Sequence, residues 1–252
     1  MTSIDQEYPI SAEELKERWG GLYDEFNDDP ETKEFKEKHH FLLRLLRAIS
    51  WLGRAQQMEK DVKVLDKDLD TQFILFFISF NALYARDPHK RLFQEDQMKE
   101  YFKNLSKCDK HMKGSIYKVI ENNISKEKIR SLANNRFVSI DFWDKKMNTV
   151  TKGKEKDQPL PEPLSEEKTF NILRCIFQRL SVLRNQLMHG SATWDSELNS
   201  EQVEDGIKII RWLLPIFIEI MLQTPEEEWE KWGRVHYPRV ENKRILKNRN
   251  KE

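Results

Sequence analysis

Arg184, Asn185 and His189 carry side chains that can act on a phosphate ester, and they lie at the end of a helical run of apolar residues. Histidine ordinarily titrates at about pH 6.5, so an imidazole can take or give a proton near neutrality. Arginine stays charged, and its forked donors match phosphoryl oxygens. Asn185 can orient the imidazole, or hydrogen-bond a phosphate or a base. We therefore treat these three residues as the candidate catalytic group.

Helix geometry limits how these three side chains can meet. Asn185 and His189 are four residues apart and about 40° apart around a helix, so they share a face. Arg184 and His189 are about 140° apart, so spacing alone does not bring them together. A second interpretation is structural, because cations suit a helix C-terminus and Gly190 is a typical C-terminal cap. The pattern by itself leaves both interpretations open.

Two helices are predicted to position this group. The first runs from about 165 to 189, because apolar residues recur at spacings of three and four at Ile172, Leu173, Ile176, Phe177, Leu180 and Leu183. The run 68–86 is apolar on nearly every side, which predicts a central buried helix. Asn81 is the polar residue within that helix. Such a residue is usually hydrogen-bonded to a neighbour, and a role in a site is the alternative.

The rest of the chain is predicted to be helical as well. Capping and periodic patterns indicate helices near 11–26, 32–54 and 200–222, with weaker ones in 91–148. Arg44 is expected to border an apolar stripe with its stem packed. No strand alternation is present, so we predict an all-α, up-and-down helical bundle.

We assign the whole chain, 1–252, to one helical domain with a core at about 31–87 and 165–223. Residues 88–150 are interpreted as a helical insertion before the motif helix. The Lys- and Pro-rich stretch 150–164 is interpreted as a linker that crosses the surface or is partly disordered. Residues 234–252 form a basic tail.

Composition narrows the function classes. The chain has 43 basic and 43 acidic residues, so any nucleic-acid site must be a local patch. Two cysteines are too few for a disulfide framework. Glycine-rich phosphate loops and histidine pairs at metal-binding spacing are missing, so we expect no cofactor and no metal. Without a signal pattern or a long uninterrupted apolar run, we expect a cytoplasmic protein that does not contact a membrane.

The sequence Arg-Asn-Gln-Leu-Met-His at 184–189 has an Arg and a His with four residues between them. It resembles the signature of the HEPN superfamily of helical ribonucleases. The continuation His-Gly-Ser-Ala-Thr-Trp at 189–194 is similar to the His-Gly-Gly-Ala-Thr-Trp of one bacterial branch. Phe-Ile-Ser-Phe-Asn-Ala-Leu-Tyr at 77–84 resembles the central helix of the same branch. These segments cover a minority of the chain, in the order and spacing of that branch.

The resemblance implies a helical bundle that dimerises and sets two motifs face to face. Many members cut RNA without a metal ion, as toxins, phage-defence effectors or RNA-processing enzymes. The resemblance favours the catalytic interpretation of the candidate group and implies substrate contacts from Asn81, Thr193 and Trp194. RNA and a second copy of the chain are the implied partners, with an antitoxin or regulatory protein as a further one.

A non-catalytic alternative stays open, because some members of the superfamily have lost cleavage and only bind. On that interpretation the chain is a helical module that binds RNA, a nucleotide or a protein partner, and its neutral net charge favours this. Ser191 stands where the branch motif has its second Gly. No Tyr stands two residues after His189, so inactivation by modification of such a tyrosine is not expected.

Overall fold

The computed structural model describes residues 10–24, 33–61, 68–86, 94–111, 113–146, 156–195 and 197–235, and within these ranges the protein is an all-α bundle, as predicted. The helices are α1 (Ala12–Asp24), α2 (Lys33–Asp61), α3 (Leu69–Tyr84), α4 (Gln94–His111), α5 (Ser115–Asn123), α6 (Lys126–Asn134), α7 (Ile140–Lys146), α8 (Thr169–Met188) and α9 (Glu197–Leu222). Short 3-10 helices cover Arg136–Val138, Glu166–Lys168 and Glu226–Trp232.

Helix α3 is the central helix of the bundle and packs mainly against α2 and α9. Its N-terminus is capped by Asp68, whose Oδ1 accepts a hydrogen bond from the Thr71 amide at 2.9 Å. Its centre is Phe80, which is fully buried and lies 4.3 Å from the ring centroid of Phe177 on α8. Phe102 on α4 and Phe217 on α9 also contact Phe80, so four helices meet at this ring.

Arg44 is not at the border of an apolar stripe, and that expectation was wrong. The residue is fully buried on α2. Its Nη1 donates to the carbonyl oxygens of Ala82, Leu83 and Ala85 at 2.8–3.1 Å, and its Nη2 donates to those of Gly233 and Arg234 at 3.2 Å. The last turn of a helix leaves carbonyl groups without intrahelical partners and carries partial negative charge. Arg44 therefore joins the C-terminus of α3 to the segment at 233–234.

Helix α4 belongs to the segment interpreted as an insertion, yet it packs into the common core through Tyr101, Phe102 and Leu105. It lies antiparallel to α8. Near its start, Glu95 accepts a hydrogen bond from Gln178 at 2.8 Å. Near its end, Lys110 lines the same groove as Thr169, at the start of α8. The N-terminal turn of α4 is consequently beside the C-terminal half of α8.

Part of the predicted linker is ordered against α8. Residues 150–155 lie outside the described residues, but from 156 onward the chain is held by polar contacts. Asp157 forms an ion pair with Arg179, and the Gln158 amide donates to Gln178 Oε1 at 2.7 Å. Leu164 is buried. Residues 236–252 of the predicted basic tail lie outside the described residues. Among the helices that the structure describes, none is long and apolar enough to cross a membrane.

Candidate functional site

The candidate site is built on the C-terminus of α8, which ends in a double hydrogen-bonded cap. Gly190 has a φ of +67°, in the left-handed region. Its amide donates to the Leu187 carbonyl at 3.3 Å, and the Ser191 amide donates to the Gln186 carbonyl at 2.8 Å. These two bonds form the Schellman arrangement, in which a glycine reverses the chain direction. The helix therefore stops one residue before His189, and the motif continues as a loop.

Arg184 turns away from that end of the helix. Its guanidinium carbon lies 5.0 Å from the ring centroid of Phe77 on α3, a cation–π distance. Helical side chains point back toward the N-terminus of their helix, which accounts for this direction. Among the described residues, Nε of Arg184 has no hydrogen-bond partner and no carboxylate forms an ion pair with the guanidinium. A half-buried cation without a described counter-charge is suited to bind an anion.

A short polar chain lies next to Arg184. Tyr84 donates through its hydroxyl to Asn81 Oδ1 at 2.7 Å, and Gln94 Nε2 donates to the same hydroxyl at 2.6 Å. Burial raises the pKa of Tyr84 to about 12, although Gln94 and Arg184 both act to lower it. The phenol is therefore neutral at physiological pH and keeps its donor role. The side-chain oxygen of Asn81 is thus hydrogen-bonded to a neighbour one helical turn away, which is usual for a polar residue within a buried helix.

Asn185 and His189 are exposed, whereas Arg184 is half-buried against Phe77. At about 100° per residue, they lie roughly 100° and 140° around the axis from Arg184. The axial rise from 184 to 189 adds about 7.5 Å to that separation. Within one chain the structure brings Asn185 and His189 onto one surface and leaves the guanidinium apart from them.

Thr193 and Trp194 are exposed and lie on the loop after α8. This loop contacts the N-terminus of α3, whereas Asn81 lies near the C-terminus of that helix. Trp194 Nε1 donates to Asp68 Oδ1 at 3.3 Å, and the Asp195 amide donates to Asp70 Oδ2 at 2.8 Å. Thirteen residues of helix, about 20 Å, separate Asp68 from Asn81 along α3. The three predicted substrate contacts therefore do not form a single pocket around the catalytic group.

Sequence reasoning missed two residues beside Arg184. Gln94 contacts Tyr84 from ten residues further along the chain, and no periodic pattern marks that contact. Tyr84 itself was counted as an apolar residue of the buried run. A signal was available, because Asn81 and Tyr84 are three residues apart and share a helix face.

An exposed aromatic cluster adjoins α8 next to the motif. We use this name for Arg136, Phe137, Phe142 and Trp143, from the 3-10 helix and α7. The Phe137 carbonyl accepts two hydrogen bonds, from Gln186 Nε2 at 2.7 Å and from Trp143 Nε1 at 2.8 Å. Gln186 and His189 are three residues apart and are neighbours on the helix surface. The cluster is thereby attached one helical turn from His189.

A large groove lies elsewhere, between α4 and the start of α8. This groove has a volume of about 780 Å³, with Phe170, Glu166 and Glu167 on the α8 side. Its α4 side carries four lysines at spacings of three and four, Lys99, Lys103, Lys107 and Lys110. The last three form no ion pair with a described residue. The α4 wall of the groove is therefore basic, while Asp109, Glu166 and Glu167 contribute carboxylates to the same lining.

In the part of the chain that the structure describes, no group of three or more His, Cys, Asp or Glu side chains is arranged to hold a metal ion. Comparisons with models of known protein families, with curated proteins and with solved structures each found no match to this chain. The function must therefore be argued from the residues and their geometry.

Proposed function

We propose that this protein is an endoribonuclease that cuts RNA at a composite site formed by two copies of the chain. The observation that carries the proposal is that one helix carries both Arg184, half-buried without a described counter-charge, and the exposed imidazole of His189 at its end. Those are the groups that phosphodiester cleavage needs. The resemblance to helical ribonucleases adds a role as a toxin, a defence effector or an RNA-processing enzyme, with an antitoxin or regulatory protein as a further partner. The cytoplasmic setting is proposed from the absence of a signal pattern in the sequence.

The reaction uses a nucleophile that RNA itself supplies. One His189 takes the proton of the 2′-hydroxyl, and the 2′-oxygen forms a bond to phosphorus. The bond from phosphorus to the 5′-oxygen breaks, and that oxygen takes a proton from a second imidazole. Arg184 binds the phosphoryl oxygens, on which negative charge builds up in the transition state. The products are a 2′,3′-cyclic phosphate and a 5′-hydroxyl, so the chemistry requires no metal ion.

A second copy of the chain supplies what one copy lacks. One imidazole has difficulty acting as base and acid on the same phosphate, and within a chain the guanidinium points away from His189. A two-fold axis beside α8 places His189 of the partner subunit at the same phosphate. Met188 and Trp194 flank His189 and are 57% and 68% exposed. We propose that these two exposed apolar side chains are covered by the partner subunit in the dimer.

The lysines on the α4 wall of the groove supply a local electrostatic attraction that the zero net charge of the chain does not. RNA affinity comes largely from cations placed along the phosphate backbone. The α4 lysines line the seam between α4 and α8, and the same seam leads along α8 toward Arg184. An RNA strand held along this seam would reach the end of α8.

Purified protein incubated with total RNA and transfer RNA in EDTA tests the proposal. We expect wild type to produce fragments that end in 2′,3′-cyclic phosphate. His189→Ala should lower the cleavage rate by about 100-fold or more, because general acid–base catalysis contributes about that much. The matched control is His111→Ala, since His111 is also exposed but lies at the end of α4. Equal cleavage by wild type and His189→Ala would refute the proposal.

The composite site is tested by mixing. When wild type and His189→Ala are unfolded and refolded together in equal amounts, random pairing makes about one dimer in four fully wild type. If each phosphate needs His189 from both copies, the cleavage rate should fall to about a quarter of that of the same total amount of wild-type protein. A fall to only about a half means that each chain works by itself.

A non-catalytic binding module is the second candidate function. The observation in its favour is the separation of the guanidinium from His189 within one chain. In that case Arg184 and the lysines on the α4 wall of the groove would bind RNA or a nucleotide, and no cleavage would follow. Binding that survives in EDTA, with no cyclic phosphate formed by wild type, would identify this function.

A further inference from the structure

The aromatic cluster has its backbone fixed and its rings open to solvent. The Phe137 carbonyl uses both lone pairs, one for Gln186 on α8 and one for Trp143 on α7. The Phe137 ring is nevertheless 44% exposed, and that of Trp143 is 37% exposed. Single exposed apolar residues are normal on protein surfaces, but a contiguous group held in place by hydrogen bonds indicates a binding surface.

The rings are ordered among themselves. Phe142 lies edge-on to both exposed rings, with centroid distances of 5.7 Å to Phe137 and 5.2 Å to Trp143. Edge-to-face packing of this kind restricts the ring orientations before any ligand arrives. The cluster is therefore preorganised, which lowers the entropy lost when a flat ligand binds.

A cation completes the cluster. The guanidinium carbon of Arg136 lies 4.8 Å from the Phe137 centroid and 5.8 Å from that of Phe142. Arg136 forms no ion pair with a described residue, and the side chains of Lys145 and Lys146 are exposed on the adjoining helix. Asp141 and Asp144 on that helix are partly buried. Exposed rings beside exposed cations match a ligand that has both a flat face and a negative charge.

We infer that the aromatic cluster stacks an unpaired base of single-stranded RNA, next to the phosphate held at the end of α8. Proteins that bind single strands combine stacking rings with cations along the backbone. A base within a duplex is stacked between its neighbours and has no free face to offer. This inference rests on the proposed function for the choice of RNA, and it adds that the substrate must be unpaired beside the cut.

The placement of the cluster makes it part of the same surface as the motif. Gln186 donates to Phe137 through its side chain, while its own carbonyl accepts the Ser191 and Ala192 amides of the motif loop. One residue thus holds both the cluster and the loop that follows His189. A base on Phe137 would therefore belong to a nucleotide close to the reacting phosphate.

The test measures binding without cleavage. Every variant is made in the full chain carrying His189→Ala, and the probe is a fluorescein-labelled, 12-nucleotide single-stranded RNA followed by anisotropy. Phe137→Ala should weaken binding roughly 5- to 100-fold, the effect of losing one stacked base. The matched control is Trp51→Ala on α2, because Trp51 is 40% exposed and so is similarly accessible. That control should leave the dissociation constant unchanged.

A second probe distinguishes stacking from a structural effect. The same RNA with abasic sites keeps the phosphates and removes the bases, so Phe137→Ala should not weaken its binding further. A fully paired duplex should bind more weakly than the single strand. Circular dichroism and the urea midpoint of each variant establish that the helices stay folded.

Three outcomes overturn the inference. The first is unchanged affinity of Phe137→Ala for the intact strand. The second is equal loss of affinity for the intact and abasic strands, which would make the effect structural. The third is a change of oligomeric state in sedimentation without a change in RNA affinity, which would make the cluster a protein interface. Because binding is measured without cleavage, failure of the nuclease proposal appears separately, as absence of cyclic phosphate from the wild-type chain.

Discussion

Arg44 and Arg184 both approach α3, one from α2 and the other from α8, but their surroundings differ. Arg44 is fully buried, and its guanidinium donates to five backbone carbonyls near the end of α3 and at 233–234. Burial, with Arg86 nearby, lowers the pKa of Arg44 to about 9, so it remains charged near neutrality. Arg184 is half-buried on the Phe77 ring, and no described carboxylate pairs with it.

The difference separates a structural cation from a candidate binding cation. Both terminal nitrogens of Arg44 are used by backbone carbonyls, and although its Nε has no partner, the whole guanidinium is sealed from solvent, so no ligand reaches it without opening the fold. The guanidinium of Arg184 has donors to spare, and the ring beneath it holds its position at a small energetic gain of about 0.5–1 kcal/mol. Cationic residues near a helix end therefore cannot be assigned a role by type. The partners of each side chain decide that role.

The largest effect is expected at Arg44. Arg44→Met keeps most of the side-chain volume but removes every donor, and several carbonyls lose their partner at about 1–3 kcal/mol each. We expect the free energy of unfolding to fall by about 3–5 kcal/mol, measured by urea denaturation followed by circular dichroism. The control is Arg54→Met, an exposed position on the same helix, which should change stability by less than about 0.5 kcal/mol. Similar losses of unfolding free energy in the two variants would show that the hydrogen bonds of Arg44 do not stabilise the fold.

Arg184→Met should show the opposite pattern. The free energy of unfolding should fall by about 1 kcal/mol, since the contact with Phe77 and the interaction with the Tyr84 hydroxyl are lost while no buried carbonyl loses its partner. The rate of RNA cleavage should fall by about 100-fold or more, because a donor to the charged transition state is removed. The same urea and cleavage assays measure both quantities. A stability loss as large as that of Arg44→Met would place Arg184 among the structural residues instead.

The smallest effect is expected at Gly190, on the loop that follows the catalytic group. An alanine there has open space around its Cβ but must adopt a φ of +67°, at a cost of about 1 kcal/mol. Gly21→Ala is the matched control, because Gly21 also has open space but lies within α1, where alanine should stabilise by about 0.5–1 kcal/mol. Thermal or urea unfolding compares the two variants. A stabilising Gly190→Ala would mean that the cap is not needed to end α8.

Much of the fold follows from local sequence patterns. The apolar spacings of α8 and the nearly all-apolar run of α3 predict both helices, and the structure has them at Thr169–Met188 and Leu69–Tyr84. The end of α8 was also predictable, because Gly190 tolerates the left-handed conformation that a helix cap requires. These features depend on residues within a few positions of one another, so periodicity and cap chemistry are enough to find them.

The contacts between distant segments were not predictable. The expectation for Arg44 failed because its carbonyl partners lie about 40 and 190 residues away in the chain. Gln186 meets Phe137 across 49 residues, and Asp157 holds Arg179 from a stretch that was interpreted as a linker. Periodicity shows which face of a helix is apolar, but it does not show which other helix covers that face.

The motif at 184–194 combines local features that the sequence predicts with contacts to distant segments that it does not. The shared helix face of Asn185 and His189 could be read from the sequence because it follows from the helical repeat. The end of α8 could also be read, because Gly190 favours the left-handed conformation of a C-terminal cap. Packing between distant segments brings the Arg184 guanidinium to Phe77 on α3 and joins the aromatic cluster to α8 at Gln186, and neither contact could be read from the sequence. The reason is that the direction of a long side chain depends on the neighbours that packing brings to it.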